Sequence, residues 1–439
     1  MTVLEGLRNA RSHIIFLAAM LSAGGLIVAL QAWEPSAGTS FKESVQKSAK
    51  GLPTLPAPRP LSAREQEWAH VAWTYFKNNY QAATGLANSV DQYPASTMWD
   101  TGSYLMALIS AQRLELATPA EFDDKMSRAL ASLARIPLFD GKLPNKNYNT
   151  LSLAMVDYTN KPALRGLGWS AIDVGRLLVP FNILIWNYPK HSQEVRAVLQ
   201  RWDLSFLLEQ GELHGAAVDA QGKTIYLQEG RFGYEQYSAK SFGLMGRDTN
   251  NASSYYDHLK LVTIDGVRVP TDDRRADLYH AHVYAVSEPY ILDGLEFGWD
   301  ASSRTFARDV YDAQRKRFER TGILTAVSED NLDQAPFFAY NTVWADGKAW
   351  NTITDEGKDV SQFRSLSTKA AMGWLALYRD DYTARFEEAL GGLYDPGKGW
   401  FAGRYERDGK PNRALTANTN AIVLESLCYL QNGIAVRMY

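Results

Sequence analysis

The stretch Gly168-Trp-Ser-Ala-Ile-Asp-Val-Gly-Arg-Leu-Leu-Val-Pro-Phe-Asn-Ile-Leu-Ile-Trp186 decides the fold. Its opening, Trp169-Ser170-Ala171-Ile172-Asp173, is polar and aromatic. The run that follows, Val174–Trp186, is too apolar for a surface helix and reads as an inner one. Similar openings recur at Trp99-Asp100-Thr101-Gly102-Ser103, Tyr234-Glu235-Gln236-Tyr237, Ser287-Glu288-Pro289-Tyr290, Ser367-Thr368-Lys369 and Asn418-Thr419-Asn420. Inner helices placed side by side in a ring bring such openings to one rim. The expected fold is therefore all-α: an (α/α)6 barrel of six helical hairpins with small β-hairpins in its loops.

The openings divide most of the 439 residues into hairpin-sized units, so one closed domain over 61–439 accounts for the bulk of the chain. The hydrophobic fraction of 46% and charged fraction of 22% are ordinary for a globular protein. A net charge of -3 supplies no basic field, which argues against a nucleic-acid partner. The single cysteine, Cys428, lies in the last apolar run and reads as a small core residue.

Residues 13–33 contain no Asp, Glu, Lys or Arg and follow Arg8 and Arg11. That length suits a transmembrane signal-anchor, with residues 1–12 cytoplasmic and the remainder exported to the periplasm. A cleaved signal peptide is the rival, disfavoured because the run is long and Leu30-Gln31-Ala32 is a poor exit site. Residues 34–60, with Pro35, Pro53, Pro56, Pro58 and Pro60, read as a linker.

Along the body, Ser62 and Glu65 resemble a capping box for a helix over 62–82. Helices are expected near 99–116, 119–134, 169–186, 191–208, 233–246, 288–298, 303–320, 361–379, 381–390 and 418–431. Residues 213–229 and 261–282 read as hairpins turning at Gln221-Gly222 and Asp265-Gly266.

Glycosidic cleavage generally needs a protonated and an ionised carboxyl group flanking the bond. Asp100, Asp173, Glu235 and Glu288 all open inner helices. Glu235, between Tyr234 and Tyr237, is the expected proton donor, with Asp100 or Asp173 as base. The plainer readings are a helix cap at Asp100, a first-turn acid at Glu288 and a local Asp173–Arg176 ion pair. Trp99, Trp169, Tyr234, Tyr237, Glu288, Lys369 and Asn420 at the openings are expected to hold sugar. So are Tyr148, Asn149, Asp157, Tyr340, Asn341 and Trp344 in long loops. For the Asn418-Thr419-Asn420 opening, capping is the alternative. His280, His282 and the acidic run Glu329-Asp330-Asn331-Leu-Asp333 complete no recognised metal-ligand spacing, and no cofactor is expected.

With Trp99-Asp-Thr-Gly-Ser-Tyr-Leu105, Gly168–Leu178, Tyr234–Tyr237, Ser287–Leu292 and Leu366–Ala371, the chain resembles the bacterial family catalogued as domain of unknown function 3131, from about residue 65 onward. The resemblance implies a fold similar to glucoamylase-like and β-1,2-glucanase-type (α/α)6 glycoside hydrolases, in exported polysaccharide systems. The expected function is hydrolysis or transglycosylation of a bacterial polysaccharide or glucan. The expected setting is the inner membrane, facing the periplasm, beside polysaccharide synthesis or export machinery. A non-catalytic polysaccharide-binding accessory protein and a polysaccharide lyase are the alternatives.

Overall fold

The computed structural model describes residues 37–437, His280 excepted. The expected membrane span 13–33 lies outside the described residues. Among those described, no helix is long and apolar enough to cross a membrane. The chain divides into two units, Met1–Leu52 and Pro53–Tyr439. In the first, helix α1 (Ala37–Lys50) occupies part of what composition reads as linker. Phe41, Val45 and Ala49 recur there at a four-residue spacing, a helical period that the flanking prolines mask in a composition-based reading.

In the second unit, α2 (Ala63–Asn79) begins at the Ser62–Glu65 capping box, which is fully formed. There follow α3 (Met98–Arg113), α4 (Pro119–Leu133), α5 (Ala171–Asn187), α6 (Pro189–Leu199) and α7 (Tyr234–Leu244). After these come a single turn, α8 (Ala276–Tyr279), then α9 (Glu288–Glu296), α10 (Ala301–Thr321), α11 (Thr368–Leu377), α12 (Ala384–Leu390) and α13 (Ala417–Asn432). Helices α3, α5, α7, α9, α11 and α13 each pack against the next, and α13 returns to α3, closing a ring. Their side chains are buried on nearly every face, as their apolar sequences require.

The outer layer departs from six hairpins. Helices α4, α6, α10 and α12 pair with inner partners, and α2 packs against α13. After α7 no outer helix forms. Residues 247–254, Arg-Asp-Thr-Asn-Asn-Ala-Ser-Ser, are turn formers without a helical period. A hairpin of Leu259–Ile264 and Val267–Asp272 stands there instead and packs on α10. Its turn uses Asp265 and Gly266 at φ 48° and 82°, as the Asp-Gly signal predicts.

Short strands are more numerous than an all-α reading allows. Ala95–Thr97, Tyr284–Ala285, Ser365–Ser367 and Pro411–Leu415 each run almost directly into an inner helix. Ser365–Ser367 pairs with Gly399–Tyr405, so α11 starts at Thr368, later than the expected 361. Helix α6 likewise stops at Leu199, and a separate 3-10 turn covers Leu204–Leu207.

Candidate functional site

Close contacts gather the N-terminal turns of the inner helices. A Cβ on Gly102 of α3 would lie 3.1 Å from the Leu177 backbone of α5, and one on Gly175 of α5 would lie 2.5 Å from Ser238 Cβ of α7. A Cβ on Gly233, which opens α7, would lie 3.1 Å from Pro289 of α9. The Asn418 amide at the start of α13 donates to both Glu288 carboxylate oxygens at 2.9 and 3.2 Å, and accepts from Ser103 Oγ of α3 at 3.2 Å. Lys369 of α11 forms an ion pair with Glu288, both side chains being buried. One rim therefore carries α3, α9, α11 and α13 through direct polar bonds.

Two further carboxyl groups at helix openings belong to this neighbourhood. Asp100 is capped by Thr97, whose hydroxyl donates to Asp100 Oδ2 at 2.8 Å. Burial pushes the Asp100 carboxyl above its ordinary range, Glu288 adding to the shift and Lys369 opposing it. Asp173 moves further: burial and the negative charge of Glu229 push it up to about 7. The Ser170 hydroxyl and Lys146 pull the other way, and Asp100 adds a smaller upward push. Glu229 is fixed by accepting the Ala171 N–H at the first turn of α5. Asp173, Asp100, Glu288 and Lys369 thus form one chain of mutual electrostatic influence.

Beside Lys369 lies Asp330, 3% exposed, with its carboxylate 3.9 Å from the ammonium. Neither Asp330 oxygen accepts a hydrogen bond of ordinary geometry, and burial pushes this carboxyl well up, against the pull of Lys369 and the Ser367 hydroxyl. Tyr284 and Tyr340 stack with centroids 4.2 Å apart.

Glu235 is placed differently. Its Oε2 accepts from Arg274 Nη2 at 2.6 Å and its Oε1 from Gln228 Nε2 at 3.0 Å. Arg274 also binds Asp272 through Nε at 2.9 Å and Nη2 at 2.6 Å. Burial pushes the Glu235 carboxyl up and Arg274 opposes it. With both oxygens engaged inside the protein, Glu235 ties the hairpin at 259–272 to α7.

Many expected sugar contacts are occupied internally. Trp169 is fully buried among Phe139, Phe206 and Tyr226. Tyr148 is fully buried, donating to Pro137 O at 2.6 Å and accepting from Asn145 N at 2.7 Å. Asn420 bridges Thr416 O, Trp400 N and Trp400 O, and Asn341 bridges Ser365 O and Thr352. Asn149 and Asp157 organise tight turns through their own backbone neighbours. Tyr237 sits on the barrel axis, accepting from Arg176 at 3.0 Å and donating to Glu296 at 2.8 Å. Arg176 also pairs with Glu296 and Glu425, so the alternative of a local Asp173–Arg176 pair gives way to a buried network joining α5, α9 and α13. Trp99 and Tyr234 pack edge to face at 5.5 Å, and Trp99, Tyr340 and Trp344 stay partly open.

Glu229, Asp330, Asn418 and Tyr284 join the site without having been singled out for it. Glu229 directly follows the strand Thr224–Gln228 and Asp330 lies within the strand Glu329–Asn331, so neither sits at a helix opening. His280 lies outside the described residues, and among those described no group of three metal-ligating side chains converges.

A family model described as "Protein of unknown function (DUF3131)" matches residues 67–433. The chain belongs to the DUF3131 family. No curated protein matches it. Among solved structures, this DUF3131 chain is similar to an endo-β-1,2-glucanase from Talaromyces funiculosus in complex with sophorose, at TM-score 0.61 and 12% identity over 85% of each chain. It is also similar to an endo-β-1,2-glucanase from Chitinophaga pinensis in complex with sophorotriose and glucose. There the TM-score is 0.60 and identity 9%, covering 86% of this chain and 94% of the other. A Bacteroides caccae structure with a provisional glucoamylase name gives TM-score 0.59 and 12% identity, covering 85% and 94%. At such identities the likeness establishes the fold, and the DUF3131 site must be argued from its own residues.

Proposed function

We propose that this protein is a glycoside hydrolase or transglycosylase acting on a glucan. The observation that carries the reading is the pair at the rim: Asp173, raised to about 7, and Asp100, coupled to it electrostatically. In this reading Asp173 is protonated near neutrality and gives its proton to the glycosidic oxygen as the C–O bond breaks. Asp100 takes a proton from the water, or from the sugar hydroxyl in transglycosylation, whose oxygen bonds to the anomeric carbon. Lys369 favours the charged form of Asp100 against Glu288. The acid role expected of Glu235 passes to Asp173, because both Glu235 oxygens are held by Arg274 and Gln228. Glu288, buried and held by Lys369 and Asn418, keeps those two side chains in place at the rim. The named substrates of the fold neighbours make β-1,2-glucan the first polymer to try.

We further propose that residues 13–33 anchor the protein in the inner membrane with the barrel in the periplasm. The uncharged run after Arg8 and Arg11 supports this.

The test is reducing-end release from β-1,2-glucan. Wild type should cleave, and Asp173→Asn and Asp100→Asn should each lose about 10²- to 10⁴-fold in turnover while still binding oligosaccharide. Wild type that binds but never cleaves would make this a polysaccharide-binding protein. Equal cleavage by wild type and both variants would remove the assignment.

A further inference from the structure

Tyr158 stands at the tip of a tight hairpin in the long loop between α4 and α5. Val156 bridges Pro162, and Asp157 N donates to Lys161 O at 2.9 Å. Asp157 Oδ1 accepts from Thr159 N and Thr159 Oγ1, each at 2.8 Å, and from Lys161 N at 2.9 Å. The Tyr93 hydroxyl donates to the Tyr158 carbonyl at 3.3 Å. The backbone is thus pinned from both sides, while the residue remains 64% exposed. A large aromatic held out of the core on a rigid tip offers its ring face to a ligand with little further ordering.

The ring is open, but its hydroxyl end is crowded. Desolvation there, and the charges of Asp173, Glu229 and Asp355, push the hydroxyl up. Glu229 also acts on Tyr284, and Asp355 on Tyr340. Tyr158 and the stacked Tyr284–Tyr340 pair therefore feel the charge of two of the same carboxylates, Glu229 and Asp355. Asn147 Nδ2 donates to the Asp157 carbonyl at 2.9 Å, and Asn147 pairs with Thr97, which caps α3 at Asp100, so the Tyr158 tip stands beside the rim that carries Asp100 and Asp173.

We infer that Tyr158 is an aromatic platform on which one pyranose ring of an uncharged glycan chain stacks, next to Asp173. This rests on the hydrolase reading above for the identity of the neighbouring site. Pyranose rings present an apolar C–H face that fits an aromatic ring, and a pinned backbone lowers the ordering cost of binding. The other carboxyl groups there, Glu229 and Asp355, disfavour a polyanionic chain, so the glycan is a neutral one.

The experiment is calorimetric titration of the Asp173→Asn protein, in which turnover is suppressed, with a linear β-1,2-linked glucopentaose. Tyr158→Ala in that background should weaken binding about tenfold, while Tyr158→Phe should keep it, because the ring face makes the contact. In the active protein Tyr158→Ala should raise KM with little change in kcat. Unchanged thermal unfolding of Tyr158→Ala would show that the loss is not one of folding. Equal affinity of Tyr158→Ala and its parent overturns the platform, as does a complete lack of binding by the parent. An oligogalacturonate bound as tightly as the glucopentaose overturns the neutral-chain assignment. Binding that depends on Tyr158 in a wild type that cleaves nothing would sustain the platform and remove the hydrolase reading. Cleavage with a KM indifferent to Tyr158 would do the reverse.

Discussion

Asp173 shows how little of a proposed acid is visible in its own stretch of sequence. The sequence places it in the first turn of an inner helix, where the helix end alone would favour its charged form. Burial, and then the charge of Glu229, which follows a strand 56 residues later, reverse that expectation. Separation in sequence, here 39 residues, also explains Glu235. Its partner Arg274 lies just past the 259–272 hairpin, so a reading confined to Tyr234–Tyr237 finds aromatic rings and misses the cation. The Asp173 shift also bears on stability. An unfolded Asp titrates near about 3.9. Between that pH and about 7 the folded state holds a proton that the unfolded state has lost. Stability contributed by this group is therefore full below the unfolded value and is lost as pH rises through about 7. Asp173→Asn should accordingly unfold at a higher temperature than wild type at pH 8, with the difference closing toward pH 4. Thermal scans at both pH values check this, and an equal offset at the two would contradict the shift.

At the scale of elements, the starts of inner helices were the most legible feature. Ser170, Thr97 and Thr416 each cap the helix that the apolar run announces. Both proposed hairpins form, because Gln-Gly and Asp-Gly turns carry their own geometry. The missing outer helix after α7 and the sheet around Gly399–Tyr405 were not legible, since long-range strand pairing decides them. Nor does a sequence reveal why inner helices tolerate glycine. At Gly175 the added methyl of alanine would favour the helix by about 1 kcal/mol in an exposed setting. Here it would meet Ser238 Cβ at 2.5 Å and Oγ at 2.9 Å. Gly175→Ala should destabilise the fold by about 1–3 kcal/mol. Adding Ser238→Gly should recover part of that loss, which a double-mutant cycle in denaturant would measure.

At the scale of the whole molecule, the barrel was legible because six apolar runs had no other way to bury all their faces. The site was only partly legible, because strands and loops supply half of its groups. The membrane proposal makes its own prediction. A protein lacking residues 1–34 should appear in the soluble fraction with its barrel folded, whereas the full chain should sediment with membranes after a high-salt wash. A truncated protein that still sediments would require a second membrane-binding surface. The central claim is that Asp173 supplies the proton to the leaving oxygen. It is tested most directly by giving Asp173→Asn a β-1,2-linked glucoside whose leaving group is 2,4-dinitrophenolate, which departs without protonation. The account predicts that this variant cleaves the activated glucoside at a rate close to wild type, yet cleaves β-1,2-glucan about 10²- to 10⁴-fold more slowly. Equal losses on both substrates would contradict it.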